Sequence, residues 1–169
     1  MNILIDTSYF LPLIKIAIKN IPHNLLISIL SETPHTYFYT DLTIFELIAK
    51  GLKLSTQKSA GITPQDIRAG VDSLQHDTRL IKRSYTHNPY IIELASLFRS
   101  IHQDTIDCLI FAAAICTCDC LITMDVSFYK KINKNPQILK KIKAINEDFK
   151  FWFNDLSDSF KSLDLNNIK

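Results

Sequence analysis

Four carboxylates stand where apolar runs of this 169-residue chain stop. Asp6 follows Met1-Asn2-Ile3-Leu4-Ile5, Glu46 lies inside Leu42-Thr43-Ile44-Phe45-Glu46-Leu47, Asp107 opens Asp107-Cys108-Leu109-Ile110-Phe111-Ala112-Ala113-Ala114, and Asp125 closes Cys120-Leu121-Ile122-Thr123-Met124-Asp125. One such residue alone is a hydrated strand end or a helix cap. Four of them, spread over the chain, converge if the fold is α/β, because the carboxyl ends of parallel strands share one rim of the sheet. Clustered carboxylates repel one another and raise one another's pKa unless a cation sits between them. Hard divalent ions such as Mg²⁺ and Mn²⁺ take oxygen ligands of this kind. Ions so held lower the pKa of a bound water and stabilise charge on attacking and leaving oxygens, which is phosphodiester hydrolysis without a side-chain nucleophile. Glu46 strengthens the reading. Its neighbours Ile44, Phe45, Leu47 and Ile48 are apolar, so it lies on or beside a buried surface, where an unpaired acid is costly. Asp104 precedes Asp107 by three residues and shares its helix face, so either is a ligand candidate; Asp104 is equally suited to cap the helix.

Other chemistries find less support. With 3 Gly in the whole chain there is no glycine-rich phosphate loop and no dinucleotide fingerprint. No seryl nucleophile elbow occurs. Histidines 23, 35, 76, 87 and 102 are scattered; His102, nearest the acidic set, is placed to order water or phosphate. Cys116-Thr117-Cys118-Asp119-Cys120 lacks the second ligand pair of a structural zinc site. Its thiols read as buried and reduced, with Cys118 and Cys120 on one face of a strand. A net charge of only +2 excludes a whole-molecule basic field, so any nucleic-acid contact must be local. Lys130, Lys131, Lys134, Lys140, Lys141 and Lys143 follow Asp125, and Arg79, Lys82 and Arg83 form a second group. Such residues hold phosphates without reading sequence, and Tyr129 beside the first group is suited to base stacking.

The elements that must position these residues alternate. Residues 2–5 read as a buried strand. Thr7 or Ser8 caps a helix to about residue 20, and 24–31 is a second short helix. Thr36 to Tyr39 has strand composition. Asp41 caps a helix that carries Glu46 and ends near Gly51. Residues 52–63 form a polar connection. Thr63-Pro64-Gln65-Asp66 starts a helix to about His76. Arg79 to Arg83 is a short strand or an extended link, and Asn88-Pro89 starts a helix to about Ser100. Asp104 or Thr105 caps the next, which reaches Cys116. Cys120 to Thr123 is a strand, Lys141 to Ile145 a weak last strand, and a final helix carries Phe149, Trp152 and Phe153. Strands alternating with helices predict an α/β protein: a three-layer α/β/α sandwich around a mainly parallel sheet.

The ordered set Asp6-Thr7-Ser8, Glu46 on a helix, Asp107 before Leu-Ile-Phe-Ala-Ala-Ala, and Leu121-Ile122-Thr123-Met124-Asp125 resembles the PIN-domain family of metal-dependent ribonucleases, which includes toxins of bacterial and archaeal toxin–antitoxin pairs. The resemblance covers residues 2 to 153. It implies Asp6, Glu46, Asp107 and Asp125 as metal ligands and catalytic residues, with Thr123 matching the small hydroxyl residue that accompanies the last acid. Lys130 and Lys131 are then substrate-binding candidates. It further implies Mg²⁺ or Mn²⁺, a substrate of single-stranded or structured RNA, an antitoxin protein partner and a homodimer. The alternative is a PIN-like module without catalysis that binds RNA or protein, and retention of all four acids argues against it. A haloacid dehalogenase-type phosphatase would want an aspartate where Ser8 stands.

The chain reads as one domain over residues 1–155, with a helical insertion at about 52–100 that is longer than in compact toxins, and a polar tail over 156–169. Asp6 interrupts the early apolar run, so no signal peptide is read, and Cys108 to Cys116 is too short to span a bilayer. A cytoplasmic protein without membrane association is expected.

Overall fold

Short runs of β-branched and aromatic residues make the sheet. In the computed structural model, which describes residues 1–18, 24–31, 35–57, 61–85, 88–153 and 161–162, strands β1 (Asn2–Ile5), β2 (Thr36–Thr40), β3 (Leu80–Arg83), β4 (Cys120–Thr123) and β5 (Lys150–Phe153) are all parallel, in the order β3-β2-β1-β4-β5. A two-residue strand β6 (Lys161–Ser162) adds antiparallel to the β5 edge. The central strands are apolar at successive positions, as a sheet covered on both faces requires. Alternation then sorts their side chains. Leu4, Phe38, Leu121 and Phe151 enter one core, while Ile3, Ile5, Tyr37, Tyr39, Cys120 and Ile122 enter the other.

The second of these cores is covered by a 3₁₀ helix (Thr7–Ile14), α1 (Leu25–Ser31), α2 (Asp41–Ser55) and α3 (Pro64–His76). The first is covered by α4 (Tyr90–Arg99), α5 (Thr105–Thr117), α6 (Val126–Asn133) and α7 (Pro136–Ile145). At its centre Phe111 meets Phe98, Phe128, Phe149 and Phe151, with ring centroids 4.9, 5.2, 5.9 and 4.6 Å away. The architecture is therefore the three-layer α/β/α sandwich expected from the alternating pattern. No described helix is long and apolar enough to cross a membrane.

Several elements differ from the sequence expectation. Lys141–Ile145, read as a strand, is the end of α7; Asn135 caps that helix, Pro136 opens it, and Ile138, Leu139 and Ile142 supply its buried face. The last strand is instead β5. Phe149, Trp152 and Phe153 are spaced for a helix, but Phe149, Phe151 and Phe153 are the deeply buried set, and that spacing is period two. After Asp6 the chain forms a 3₁₀ helix that stops at Ile14, followed by Lys15 at φ 61°, rather than an α-helix to residue 20. Asp6 itself is the cap, in place of Thr7 or Ser8. Residues 19–23 and most of the 156–169 tail lie outside the described residues. Cys118 and Cys120 do not share a face: Cys118 ends α5 and joins one core, and Cys120 joins the other. All four cysteines are free thiols, as read.

Gly51 does not end α2. The cap is Thr40, which forms a capping box with Thr43, and the helix runs on to Ser55. Glycine there lets α3 pack closely, since a Cβ would come within 2.7 Å of Ile67 Cγ1. Gly70 makes a closer approach, since a Cβ there would collide with the backbone carbonyl of Leu13 in the 3₁₀ helix. A side-chain methyl such as that of Ile67 swings aside; a carbonyl held in a helix does not. Gly70→Ala should therefore destabilise the protein by about 1–3 kcal/mol, the usual cost of overpacking, and Gly51→Ala by less. Urea denaturation followed by circular dichroism measures both.

Candidate metal centre

The parallel register of β1 and β4 sets Ile5 beside Ile122, so the next residues, Asp6 and Thr123, meet at the carboxyl end of the sheet. Thr123 Oγ1 donates to Asp6 Oδ2 at 3.0 Å, and Ser8 Oγ donates to the same oxygen at 2.5 Å. The Thr123 hydroxyl also accepts from the Asp125 amide at 3.0 Å, tying the two strand-end acids through one side chain. Asp125 caps α6, its Oδ1 accepting from Phe128 N at 2.9 Å. Asp104 caps α5, its Oδ1 accepting from the amides of Ile106 at 2.9 Å and Asp107 at 3.3 Å. Asp107 is thereby lifted onto the first turn of α5, above the same sheet edge. Of the two acids weighed from sequence, Asp104 is committed to the cap.

Glu46 projects from α2 and is 3% exposed. Its Oε1 pairs with Lys50, one turn along the same helix. Its Oε2 is buried with no hydrogen-bond partner among the described residues. An oxygen of that kind costs free energy unless something else binds it. His102, 8% exposed, shares a 2.8 Å hydrogen bond between its Nε2 and Asp107 Oδ2. Its ring lies over Phe128 with centroids 4.4 Å apart.

The electrostatics register the crowding. Asp107 is pushed up to about 8, first by burial and then by the charges of Asp6, Asp104, Glu46 and Asp125. Asp6 is also raised; burial dominates, Glu46 adds to it, and the hydrogen bonds from Ser8 and Thr123 oppose it. Burial lowers the Lys50 ammonium, but the hydrogen bond and charge of Glu46, with Asp107 and Asp6 beyond, outweigh that and leave it raised. His102 is held below its ordinary value by burial and then by the charge of Lys131, against the pull of Asp125 and Asp104.

Asp107 thus lies in the field of Asp6, Glu46 and Asp125, and Asp6 in that of Glu46. Among the described residues the donor set whose ligand atoms all lie within 4.8 Å of one another is His102, Asp107 and Asp125; Asp6 and Glu46 are not part of it. Two carboxylates and an imidazole within reach of one point, one of the acids driven toward neutrality, fit a divalent metal ion. Of the substrate candidates, Thr123 is buried and holds Asp6 and Asp125, while Lys130 and Lys131 are exposed on α6. Tyr129 does not stand free for base stacking; its ring packs on Phe151 and Phe153 at 5.3 Å each.

The sequence pointed to no role for Lys50, and for Ser8 to a helix cap rather than a bond to Asp6. Lys50 had a signal, since it stands four residues after Glu46 on a helix. Ser8 had none, because its bond to Asp6 depends on the 3₁₀ turn. Lys50→Met should cost about 1–3 kcal/mol by leaving the buried Glu46 carboxylate without its partner. Equilibrium urea unfolding in EDTA measures this, and a variant as stable as the parent would show that the pair carries no weight.

No protein-family model and no curated protein matches the sequence. In three dimensions the chain is similar to a chain in the crystal structure of VapBC2 from Rickettsia felis bound to a DNA fragment from their promoter, at a TM-score of 0.54 and 17% sequence identity, covering 77% of this chain and 92% of that one. The two share the α/β fold, which in this chain sets Asp6 and Thr123 side by side at the carboxyl ends of β1 and β4.

Proposed function

We propose that this protein is a Mg²⁺- or Mn²⁺-dependent endoribonuclease of the PIN type, hydrolysing phosphodiester bonds of single-stranded or structured RNA as the toxin of a toxin–antitoxin pair. The observation that carries the proposal is the crowding at Asp107, which shares a donor set with His102 and Asp125 within 4.8 Å and is pushed up to about 8 by burial and by the charges of Asp6, Asp104, Glu46 and Asp125. Paired acids that only build structure are not arranged to repel one another; acids arranged to share a cation are.

A bound divalent ion would supply the chemistry of activating water and neutralising charge on the phosphate. The residues have distinct tasks. Asp107 and Asp125 offer oxygens within reach of one ion, and His102 orients Asp107 through its 2.8 Å hydrogen bond. Ser8 and Thr123 hold one oxygen of Asp6, and its charge acts on Asp107. Glu46 keeps one oxygen on Lys50 and leaves the other unclaimed. In the hydrolysis the hydroxyl of a water joins phosphorus, the bond to one bridging oxygen breaks, and that oxygen leaves with the water's remaining proton; an ion held by Asp107 and Asp125 would supply the positive charge that the acids themselves lack. The likeness of fold to a chain of VapBC2 supports an antitoxin partner, and the PIN resemblance supports a homodimer.

The test is cleavage of end-labelled single-stranded RNA by the purified protein with Mn²⁺ or Mg²⁺, and again with EDTA. Cleavage should need the metal and stop on chelation. Cleavage that continues undiminished in EDTA would remove the proposed mechanism. Co-expression with the product of a small neighbouring open reading frame should suppress growth inhibition if the toxin assignment holds.

A further inference from the structure

A cavity of about 610 Å³ opens beside the acidic centre, between the α4–α5 connection and α6. Its wall includes Arg99, His102, Gln103, Asp104 and Lys131. His102 is shared with the acidic centre through its bond to Asp107, so the cavity is the next compartment along the same surface. The volume is within the ordinary range for a small-ligand site, about 300–1,000 Å³.

The charges are arranged for an anion. Arg99 donates from Nη1 to the His102 carbonyl at 3.1 Å, which anchors the guanidinium on the cavity wall. Among the described residues, neither Arg99 nor Lys131 forms an ion pair with a carboxylate. Asp104 opposes them, but Oδ1 of its carboxylate is engaged by the backbone amides it caps. Two uncommitted cations thus face a cavity with one acid, directly beside a centre where acids predominate. A strand of nucleic acid crossing both compartments finds cation-binding acids at one phosphate and fixed protein cations at a neighbouring one. An arginine with a preset geometry and a lysine reaching as a point charge are the usual phosphate-holding pair.

We propose that this cavity is a phosphate subsite for the nucleic-acid strand, with Arg99 and Lys131 as its binding residues. The proposal rests on the RNA-cleaving reading only for the identity of the ligand. It places a protein–phosphate interaction off the scissile position, where it confers affinity and register without reading bases.

The experiment measures binding without cleavage. A fluorescent single-stranded RNA is titrated with the Asp6→Asn protein in EDTA, across a range of salt concentrations, and again with Arg99→Gln, Lys131→Gln or both added. Both side chains are exposed, so circular dichroism and melting should report an intact fold for each variant. The double variant should bind about tenfold more weakly, and the slope of log affinity against log salt should fall by about 0.7 for each phosphate that is no longer neutralised. Unchanged affinity and slope would overturn the subsite. So would a slope unaffected by these variants while an acidic peptide competes at this surface, since the cavity would then serve a protein partner. Failure of the nuclease reading looks different: variants that show the predicted slope change, beside a wild-type protein that cleaves nothing with Mn²⁺ or Mg²⁺, leave the subsite standing and remove only the chemistry.

Discussion

Asp6→Asn should lower RNA cleavage by about 10²–10³-fold, the loss typical of removing one preorganised electrostatic partner of the transition state. The substitution keeps the shape of the side chain and an oxygen able to accept from the Ser8 and Thr123 hydroxyls, which now converge on Asp6 Oδ2. What disappears is one negative charge in a buried position. The same change should stabilise the metal-free protein. Asp6 has its folded pKa raised, by burial first and by Glu46 after it. A carboxyl raised in the folded state contributes stability below its unfolded value near 3.8, and that contribution is lost as pH rises through the folded value. At neutral pH the wild type therefore carries a penalty that asparagine does not. Single-turnover cleavage and thermal melting in EDTA at pH 7 form the pair of measurements. Activity lost with stability gained marks an acid placed for chemistry; a variant that cleaves like the parent would sink the metal-site assignment.

Millimolar Mn²⁺ should raise the melting temperature substantially, and by more at high pH than at low. A ligand at one hundred times its dissociation constant stabilises by about 2.7 kcal/mol. For a domain of this size that is roughly 5–11 °C, at about 2–4 °C per kcal/mol. The pH dependence comes from Asp107, pushed up to about 8 by burial and by Asp6, Asp104, Glu46 and Asp125. Because its folded value exceeds its unfolded value near 3.8, Asp107 favours folding at low pH, and this is lost between about pH 4 and pH 8 in the metal-free protein. A cation must displace that proton to bind the carboxylate, so binding releases protons and strengthens up to about pH 8. The gap between melting temperatures with Mn²⁺ and with EDTA should widen from pH 5.5 to pH 8. A gap absent at every pH, or unchanged across that range, would show that these acids do not hold an ion.

The reach of sequence in this protein follows from what is local. The strands β1, β2 and β4 were readable because each is a short apolar or aromatic run closed by a polar residue, and the starts of α3 and α5 because Thr63 and Asp104 are capping residues followed by helical patterns. The alternation of these elements predicted the parallel sheet, and the sheet predicted where Asp6 and Asp125 would point. The carboxyl end of the chain was less readable. Phe149, Trp152 and Phe153 satisfy a helical spacing, and only the burial of Phe151 between Phe111 and Phe128 selects the strand. Gly51 read as a helix end because a glycine demanded by a crossing helix looks the same in sequence as one demanded by a turn.

Sequence alone thus determined the α/β class and nominated the four acids, because periodicity, capping and run boundaries are properties of neighbouring residues. Tertiary structure alone decided that Asp107 lies within reach of Asp125, that His102 holds Asp107, and that Lys50 answers only one oxygen of Glu46. Those choices depend on how the crossovers carry residues about a hundred positions apart onto one sheet edge, as β1 and β4 do for Asp6 and Thr123. Charge repulsion and desolvation act through space, and no local pattern encodes the distances on which they depend.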